Sequence, residues 1–541
     1  MRVLLRCDGG GPLGVGHVMR SLALAEAAVA AGHDVVVAGH FEGSFVQGQL
    51  AAAPVEVVQV AAPVVDCEPR PLIDLAGRVR PDLLHVDSYE ASGRPGAPGA
   101  LGAHSGVGAV LSDVVLSNME DGTFGRRPAD VVVDPTFGAE LSPRPDDGST
   151  WLLRGSRYTP IRQRVVDARR RGEIGSAVAA VRTEVGEVAR SVLVVMGGTD
   201  PVGLAPAAVE LLARTGLALE VTAIAVGENA ERVRAAARGS GLSLNILAPV
   251  DDLAAMMSGQ DLVISAAGTS VWELCCLGVP MAVVWAVDNQ RVGYDRVVAA
   301  GAAVGLGGPE LGRPELGRPE PGGDGRAVGL LRTALTDSRV RADLVLAGRR
   351  VVDGLGAWRV VRTWEQALRL GPLPAMAVAG LVARPATLQD SRRLWVWRND
   401  AGTRASSRHA EMVPWLEHLA WLESSLTRED RLLLVVEDPV NTAGPIGTVR
   451  WDLGSKGEWE VSITVAPDRR GHSLARPLLR AAEVALSEVA RSSGTEVTAY
   501  LAVVHVDNSA SVRLFETSAY LPDLPPNPRG FMRFRKAARV A

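Results

Sequence analysis

Five glycines fall within eight residues near the start of the chain, at 9, 10, 11, 14 and 16, between the apolar run RVLLRC and the helical stretch HVMRSLALA. Glycine accepts the positive φ angles and close backbone approaches that side chains forbid, so this stretch reads as a tight turn from a strand into a helix. A helix opening on such a turn, near Val15, presents unbonded amides and the positive end of its dipole, which suits an anion. His17 stands in that first turn, where an imidazole can take a proton from water near neutral pH. Taken alone, a glycine turn followed by one histidine is more often plain structure than a site.

The turn belongs to a longer pattern. Over 1–165, short Val/Leu-rich runs (RVLLRCD, DVVVAGH, DLLHVD, ADVVVD) alternate with amphipathic stretches, the signature of a parallel sheet flanked by helices. A charged stretch at 162–190 has no strand character and reads as a helical bridge. The alternation then restarts over 190–371 with SVLVVMGG, LEVTAIAVG, LSLNILAP, DLVISAAG and PMAVVWAV. Two Rossmann-like lobes are expected, with ligands in the cleft at the carboxyl ends of the strands. A Gly/Pro/Glu repeat within 308–323 cannot be helix or interior strand, and is expected to be a disordered surface insertion. From 378 to 541 the pattern changes to helices, paired strands, a helix, a strand and a helix, marking a third, mixed α/β domain after a linker.

The second lobe repeats the glycine logic. Gly197 and Gly198 follow one apolar run, and Gly268, Thr269 and Ser270 open a helix after another. That helix start suits a diphosphate, with Glu273 one turn along as a carboxylate for ribose hydroxyls. In the third domain, VSITV precedes Arg470, Gly471, His472, Ser473, Leu474 and Ala475 and then a helix. Successive amides in such a turn form a nest for a pyrophosphate.

Composition narrows the partners. A net charge of −4 without basic runs argues against nucleic acid, and no apolar run is long enough to span a membrane. No signal peptide is expected, since the first residues lack its basic segment, apolar core and cleavage site, and the four cysteines (7, 67, 275, 276) match neither a disulfide framework nor a metal-ligand spacing. A cytoplasmic protein with metal-independent chemistry is expected.

The first 370 residues resemble the UDP-sugar hydrolases of pseudaminic acid biosynthesis, relatives of the two-lobed (GT-B-type) glycosyltransferases. The resemblance rests on R-x-D at 6–8, GVGHVMR at 14–20, VDSY at 86–89, GSRYTPIR at 155–162 and GGTD at 197–200. It continues through SAAGTSVWEL at 265–274, DNQ at 288–290 and VDGLGAWRVV at 352–361. It implies release of UDP by attack of water at the anomeric carbon of UDP-2,4-diacetamido-2,4,6-trideoxy-β-L-altropyranose. His17 is then the base and Glu273 the ribose contact. Asn289 and Gln290 face nucleotide or sugar, Asp8 and Tyr89 position the substrate, and the glycines at 14, 16, 197, 198 and 268 line the site with Thr269 and Ser270. Cys7 replaces a family alanine, and the Gly/Pro/Glu repeat is extra.

Residues 378–541 resemble the GNAT acetyltransferases, through the loop R-x-x-G-x-(G/A) and the later segment HVDNSASVRLFETSAY. LWVWRND at 394–400 and EHLAW at 417–421 are similar to segments of members acting on amino-sugar nucleotides. The resemblance implies acetyl-CoA as co-substrate, held by Val465, Arg470–Ala475 and Asn508, with the 4-amino precursor UDP-sugar as acceptor. Glu460 and Ser462 would pass the amine proton to water. Ser473 and Ala475 stand where the loop has glycines, and Phe515 stands where many members carry a tyrosine acid, leaving Tyr520 as a weak substitute. His418 faces substrate or packs around Trp421.

Together the halves imply a bifunctional enzyme whose carboxyl-terminal product is its amino-terminal substrate. Two rivals stay open: a glycosyltransferase with an acetyltransferase appendage, and a silent binding protein for sugar nucleotide or acetyl-CoA. A different amino sugar is a third variant, and the oligomeric state is not legible.

Overall fold

The computed structural model describes residues 1–10, 15–61, 70–88, 111, 113–122, 124–144, 147–179, 188–197, 200, 202–250, 252–311, 323–371, 380–407, 409–439 and 444–538. The chain forms two compact units, Met1–Leu368 and Arg369–Ala541. Among the described residues no helix is long and apolar enough to cross a membrane.

The first unit contains two parallel sheets. The first sheet is built from β1 (Arg2–Cys7), β2 (Asp34–Gly39), β3 (Glu56–Gln59), β4 (Leu83–Asp87), β5 (Val115–Met119), β6 (Val131–Asp134) and β7 (Trp151–Arg154). Their order is β3-β2-β1-β4-β5-β6-β7, with every neighbouring pair parallel. Helices cover both faces of such a sheet, which is why Val3, Leu4 and Leu5 are consecutive and all buried. The second sheet comprises β8 (Ser191–Val195), β9 (Glu220–Ile224), β10 (Ser243–Leu247), β11 (Leu262–Ala266), β12 (Met281–Val284) and β13 (Val304–Gly307). Its order, β10-β9-β8-β11-β12-β13, repeats the same winding. In each sheet the order reverses beside the first strand, and that reversal opens the crevice where ligands bind.

Local chemistry ends the elements where the sequence places its punctuation. Asp200, the aspartate of GGTD, caps the helix Leu204–Arg214 by accepting from the amides of Leu204 (2.8 Å) and Ala205 (2.9 Å). Gly278, at φ +72, closes the helix Ser270–Leu277, and its N–H and that of Val279 both donate to the Leu274 carbonyl.

The helix Gly356–Leu370 returns to the first lobe. Trp364, fully buried, donates its indole N–H to Ser117 Oγ at 2.9 Å, on β5. Arg359, also fully buried, pairs with Asp353 at 2.6 Å and donates to the Arg157 carbonyl. A Cβ at Gly356 would lie 2.0 Å from the Thr159 carbonyl oxygen, so only glycine permits this contact. The VDGLGAWRVV segment is thus the clasp that ties the two lobes. This is a GT-B-type arrangement of two Rossmann-like lobes.

The second unit carries a mixed sheet, ordered β14-β15-β16-β17-β18-β20-β19. The strands are β14 (Val382–Pro385), β15 (Arg431–Glu437), β16 (Pro445–Leu453), β17 (Glu458–Val465), β18 (Ala499–His505), β19 (Leu521–Leu524) and β20 (Phe531–Ala537). All neighbours are antiparallel except β17 and β18. One face packs on the helix Ala475–Ser493 through Trp451, Val461, Leu478 and Leu486. The other packs on the helices Ser391–Asn399 and Trp415–Thr427 through Leu433, Val435, Leu394 and Leu422. The sequence pattern did not anticipate β14, β19 or β20. The Gly/Pro/Glu repeat falls mainly on 312–322, outside the described residues.

Candidate functional site

In the first unit, the helix Gly16–Ala30 starts at the carboxyl end of β1, with Val15 in the cap position and no side chain capping it. His17 Nδ1 lies 2.7 Å from Asp87 Oδ1, at the carboxyl end of neighbouring β4. Arg20, one turn on, donates to the same carboxylate twice, Nε to Oδ2 at 2.5 Å and Nη2 to Oδ1 at 2.7 Å. Its remaining nitrogen reaches Asp121 Oδ2 at 3.3 Å. Asp87 has no exposed surface. Burial alone would raise its carboxyl, but Arg20 and then His17 hold it well below the usual carboxylate range. An ionised Asp87 accepts from Nδ1–H, which fixes the tautomer and leaves Nε2 with the lone pair a base needs.

Neither Asp87 nor Arg20 was expected at the site, although they lie in VDSY and GVGHVMR respectively. The signal was available: Asp87 ends the strand beside β1 at the sheet's reversal point, where ligand-facing residues concentrate. Asp8, in contrast, is buried and engaged with the fold. It pairs with Arg6 and accepts the His40 amide at 2.7 Å, fixing the path of the chain after β1.

The second lobe brings its glycine turn to the same place. A Cβ at Gly16 would lie 3.3 Å from Thr269 Cγ2, so the two helix starts meet across the crevice. Thr269 caps the helix Ser270–Leu277 by position only, without a side-chain bond, which leaves that terminus able to meet an anion. Glu273 sits in its first turn, half-buried; desolvation raises its carboxyl, opposed by Arg164 and Arg162. Gly197, at φ +83, follows β8. Gln290 folds back to accept the Ala286 amide at 2.9 Å and borders Gly268. Asn289 lies beside it in the helix Asp288–Ala299. Gly14, Tyr89 and Gly198 fall outside the described residues.

In the second unit the parallel pairing of β17 with β18 runs from Glu458↔Ala499 to Val461↔Ala502, although the strands continue to Val465 and His505. Each keeps its other neighbour to the end, β17 through Val465↔Gly447 and β18 through His505↔Phe531. The two strands therefore part beyond Val461, and the backbone of 462–465 faces a wedge that an amide-bearing chain can enter. The loop after β17 turns at Gly471 (φ +82) and Ser473 (φ +56) into the helix Ala475–Ser493. Leu474 caps that helix without a side-chain bond and His472 is exposed; a helix start of this kind can offer its backbone amides to a pyrophosphate.

Glu460 lies opposite Asp452 on β16, and Ser462 opposite Arg450, so these polar residues share one sheet face. Asn508 caps the helix Ser509–Thr517, accepting the Ser511 amide at 3.1 Å. Tyr520 cannot serve as the acid: it is fully buried, and its hydroxyl donates to Glu483, which also holds Lys536. Burial first, then Glu483, drives its pKa well above the ordinary phenol value. Phe515 lies in the core, edge-on to Tyr520 at 5.0 Å. His418 is packed rather than presented: it is buried, donates Nε2–H to the Ser391 carbonyl at 3.0 Å, and lies between Trp415 and Trp421.

Residues 381–519 match the family model described as Acetyltransferase (GNAT) domain, so the second unit carries an acetyltransferase domain. The spore coat polysaccharide biosynthesis protein SpsG of Bacillus subtilis (strain 168) is 31% identical over 110 residues, 20% of this chain and 30% of that protein. The chain thus matches under a third of that relative's length. Among solved structures, MurG of Acinetobacter baumannii aligns over 68% of this chain and 99% of its own, at 16% identity and a TM-score of 0.47. Spermidine N-acetyltransferase from Vibrio cholerae, in complex with CoA and spermine, aligns over 29% of this chain and 95% of its own, at 19% identity and a TM-score of 0.26.

Proposed function

We propose that the chain is a bifunctional sugar-nucleotide enzyme. Its second unit transfers acetyl from acetyl-CoA to the 4-amino group of UDP-4-amino-4,6-dideoxy-N-acetyl-β-L-altrosamine. Its first unit then hydrolyses the product, UDP-2,4-diacetamido-2,4,6-trideoxy-β-L-altropyranose, to the free sugar and UDP for nonulosonic acid synthesis. The observation that carries the hydrolase half is the His17–Asp87 hydrogen bond of 2.7 Å at a helix start that meets Thr269 across the crevice.

In the hydrolytic step, water attacks the anomeric carbon as its proton passes to His17 Nε2. The bond from that carbon to the diphosphate oxygen breaks, and UDP leaves with the electron pair. Arg20 keeps Asp87 ionised throughout, and the helix start at Thr269 meets the departing diphosphate. In the acetyl transfer, the neutral amine attacks the thioester carbonyl, and collapse of the tetrahedral adduct expels CoA thiolate. The amine proton leaves along the polar face of Glu460 and Ser462 to water. With Phe515 and Tyr520 both in the core, water is the proton source for the thiolate in this scheme.

The test is His17→Ala in the full chain. UDP release should fall by about 10²- to 10⁴-fold, as for loss of a general base, while CoA release is unchanged. Equal loss of both activities would remove the division of labour.

A further inference from the structure

The acetyltransferase domain contains a tie that none of the roles above uses. Arg470, the first residue of the glycine-poor loop, is exposed, yet its guanidinium is tied back onto the helix Ala401–Ala405. Its Nη1 donates to Asp400 Oδ2 at 2.6 Å and its Nη2 to Thr403 Oγ1 at 2.6 Å. Asp400 also accepts the Thr403 amide at 2.9 Å, capping the short helix Ala401–Ala405. Between them lies Gly402, where a Cβ would stand 2.6 Å from Arg470 Nη1. The guanidinium therefore lies against the bare backbone of Gly402.

The far end of this tie is anchored as firmly. Asn399, immediately before Asp400, clamps Val413 through both amide atoms: Oδ1 accepts the Val413 N–H at 2.7 Å and Nδ2 donates to its carbonyl at 2.9 Å. Trp395 Nε1 donates to the same carbonyl at 2.8 Å. Asp400 is thus a fixed point at the end of the helix Ser391–Asn399, and it holds the residue that opens the loop. The loop needs such a support, because Ser473 holds φ +56 without glycine's freedom.

We infer that Asp400 and Thr403 are positioning residues for the pyrophosphate loop, acting through Arg470. This deepens the acetyltransferase reading and rests on it. The opposite arrangement is a restraint, in which Asp400 withholds Arg470 from the diphosphate and so weakens binding. The two differ in sign.

The experiment is calorimetric titration of the full chain with CoA, together with acetyl-transfer kinetics using acetyl-CoA and acetyl-pantetheine, a donor without the pyrophosphate. Asp400→Asn should raise the CoA dissociation constant about three- to five-fold, the scale of a partly exposed charge pair. In Arg470→Met, adding Asp400→Asn should have no further effect. Kinetics with acetyl-pantetheine should be unchanged in Asp400→Asn, whereas a general loss of structure would move both donors together. Tighter CoA binding by Asp400→Asn, unchanged CoA binding, or equal losses with both donors would each overturn the inference. Absence of CoA binding by the unaltered chain would instead refute the acetyltransferase reading itself.

Discussion

Replacing Asp87 by asparagine separates a structural ion pair from a catalytic one. The carboxylate is completely buried and takes three short bonds, from His17 Nδ1 at 2.7 Å and from Arg20 at 2.5 and 2.7 Å. Removing one partner of a buried pair costs ~3–5 kcal/mol because the other charge is stranded. Arg20 keeps a contact to the part-exposed Asp121 at 3.3 Å, so the lower end, ~3 kcal/mol, applies here. The catalytic loss is separate. An asparagine amide can donate to Nδ1, which moves the imidazole proton to Nε2 and removes the base, at roughly 10³- to 10⁴-fold in UDP release. The stability loss carries a pH signature. Asp87 is held below the usual carboxylate range, so its contribution is complete above about pH 4 and declines as pH falls through the lowered value. Calorimetric unfolding of the first unit in both proteins should show a gap that is constant from neutral pH to about pH 5 and narrows below about pH 4. UDP release within about three-fold of the unaltered chain, in a variant showing that gap, would refute the assignment of Asp87 to the base.

Four further outcomes test the second unit. Phe515→Tyr places a hydroxyl in the core beside Tyr520, so it should destabilise the domain by ~1–3 kcal/mol and give no gain in acetyl-transfer rate; a ten-fold gain would show that position 515 reaches the thioester. Ser473→Gly exchanges ~1–2 kcal/mol of left-handed strain for a Gly chain-entropy cost of ~0.5–1 kcal/mol, so stability should stay level or rise slightly by thermal unfolding. Ser473→Val puts a β-branched side chain at the same φ and should lower both stability and CoA affinity. His418→Gln should reduce thermal stability and leave the acceptor KM unchanged, because the ring is buried against Trp415 and Trp421.

The features legible in the sequence are those whose cause is local. The glycine run after β1, the glycine pair after β8 and the Gly268–Ser270 turn each announce a strand end and a helix start, because backbone freedom is encoded at single positions. Consecutive buried valines and leucines mark parallel strands for the same reason. Asp87 was not assigned because its meaning depends on β4 lying beside β1, a neighbour 80 residues away in register at Val3↔Leu83. β20 has a legible alternation, with Met532 and Phe534 buried and Arg533 and Arg535 half-buried on the opposite face, but the prolines at 522, 525, 526 and 528 obscure it. Tyr520 and His418 show the opposite limit. Their chemistry suits catalysis, and only packing reveals that the hydroxyl serves Glu483 and the imidazole serves Ser391.

The central claim is the order of two reactions on one chain, and product analysis tests it most directly. UDP-4-amino-4,6-dideoxy-N-acetyl-β-L-altrosamine is supplied with and without acetyl-CoA, and CoA and UDP are followed separately. The account predicts CoA release first, then UDP release that depends on acetyl-CoA and needs no acceptor sugar. UDP released at the same rate without acetyl-CoA, or only on adding an acceptor sugar, would contradict it.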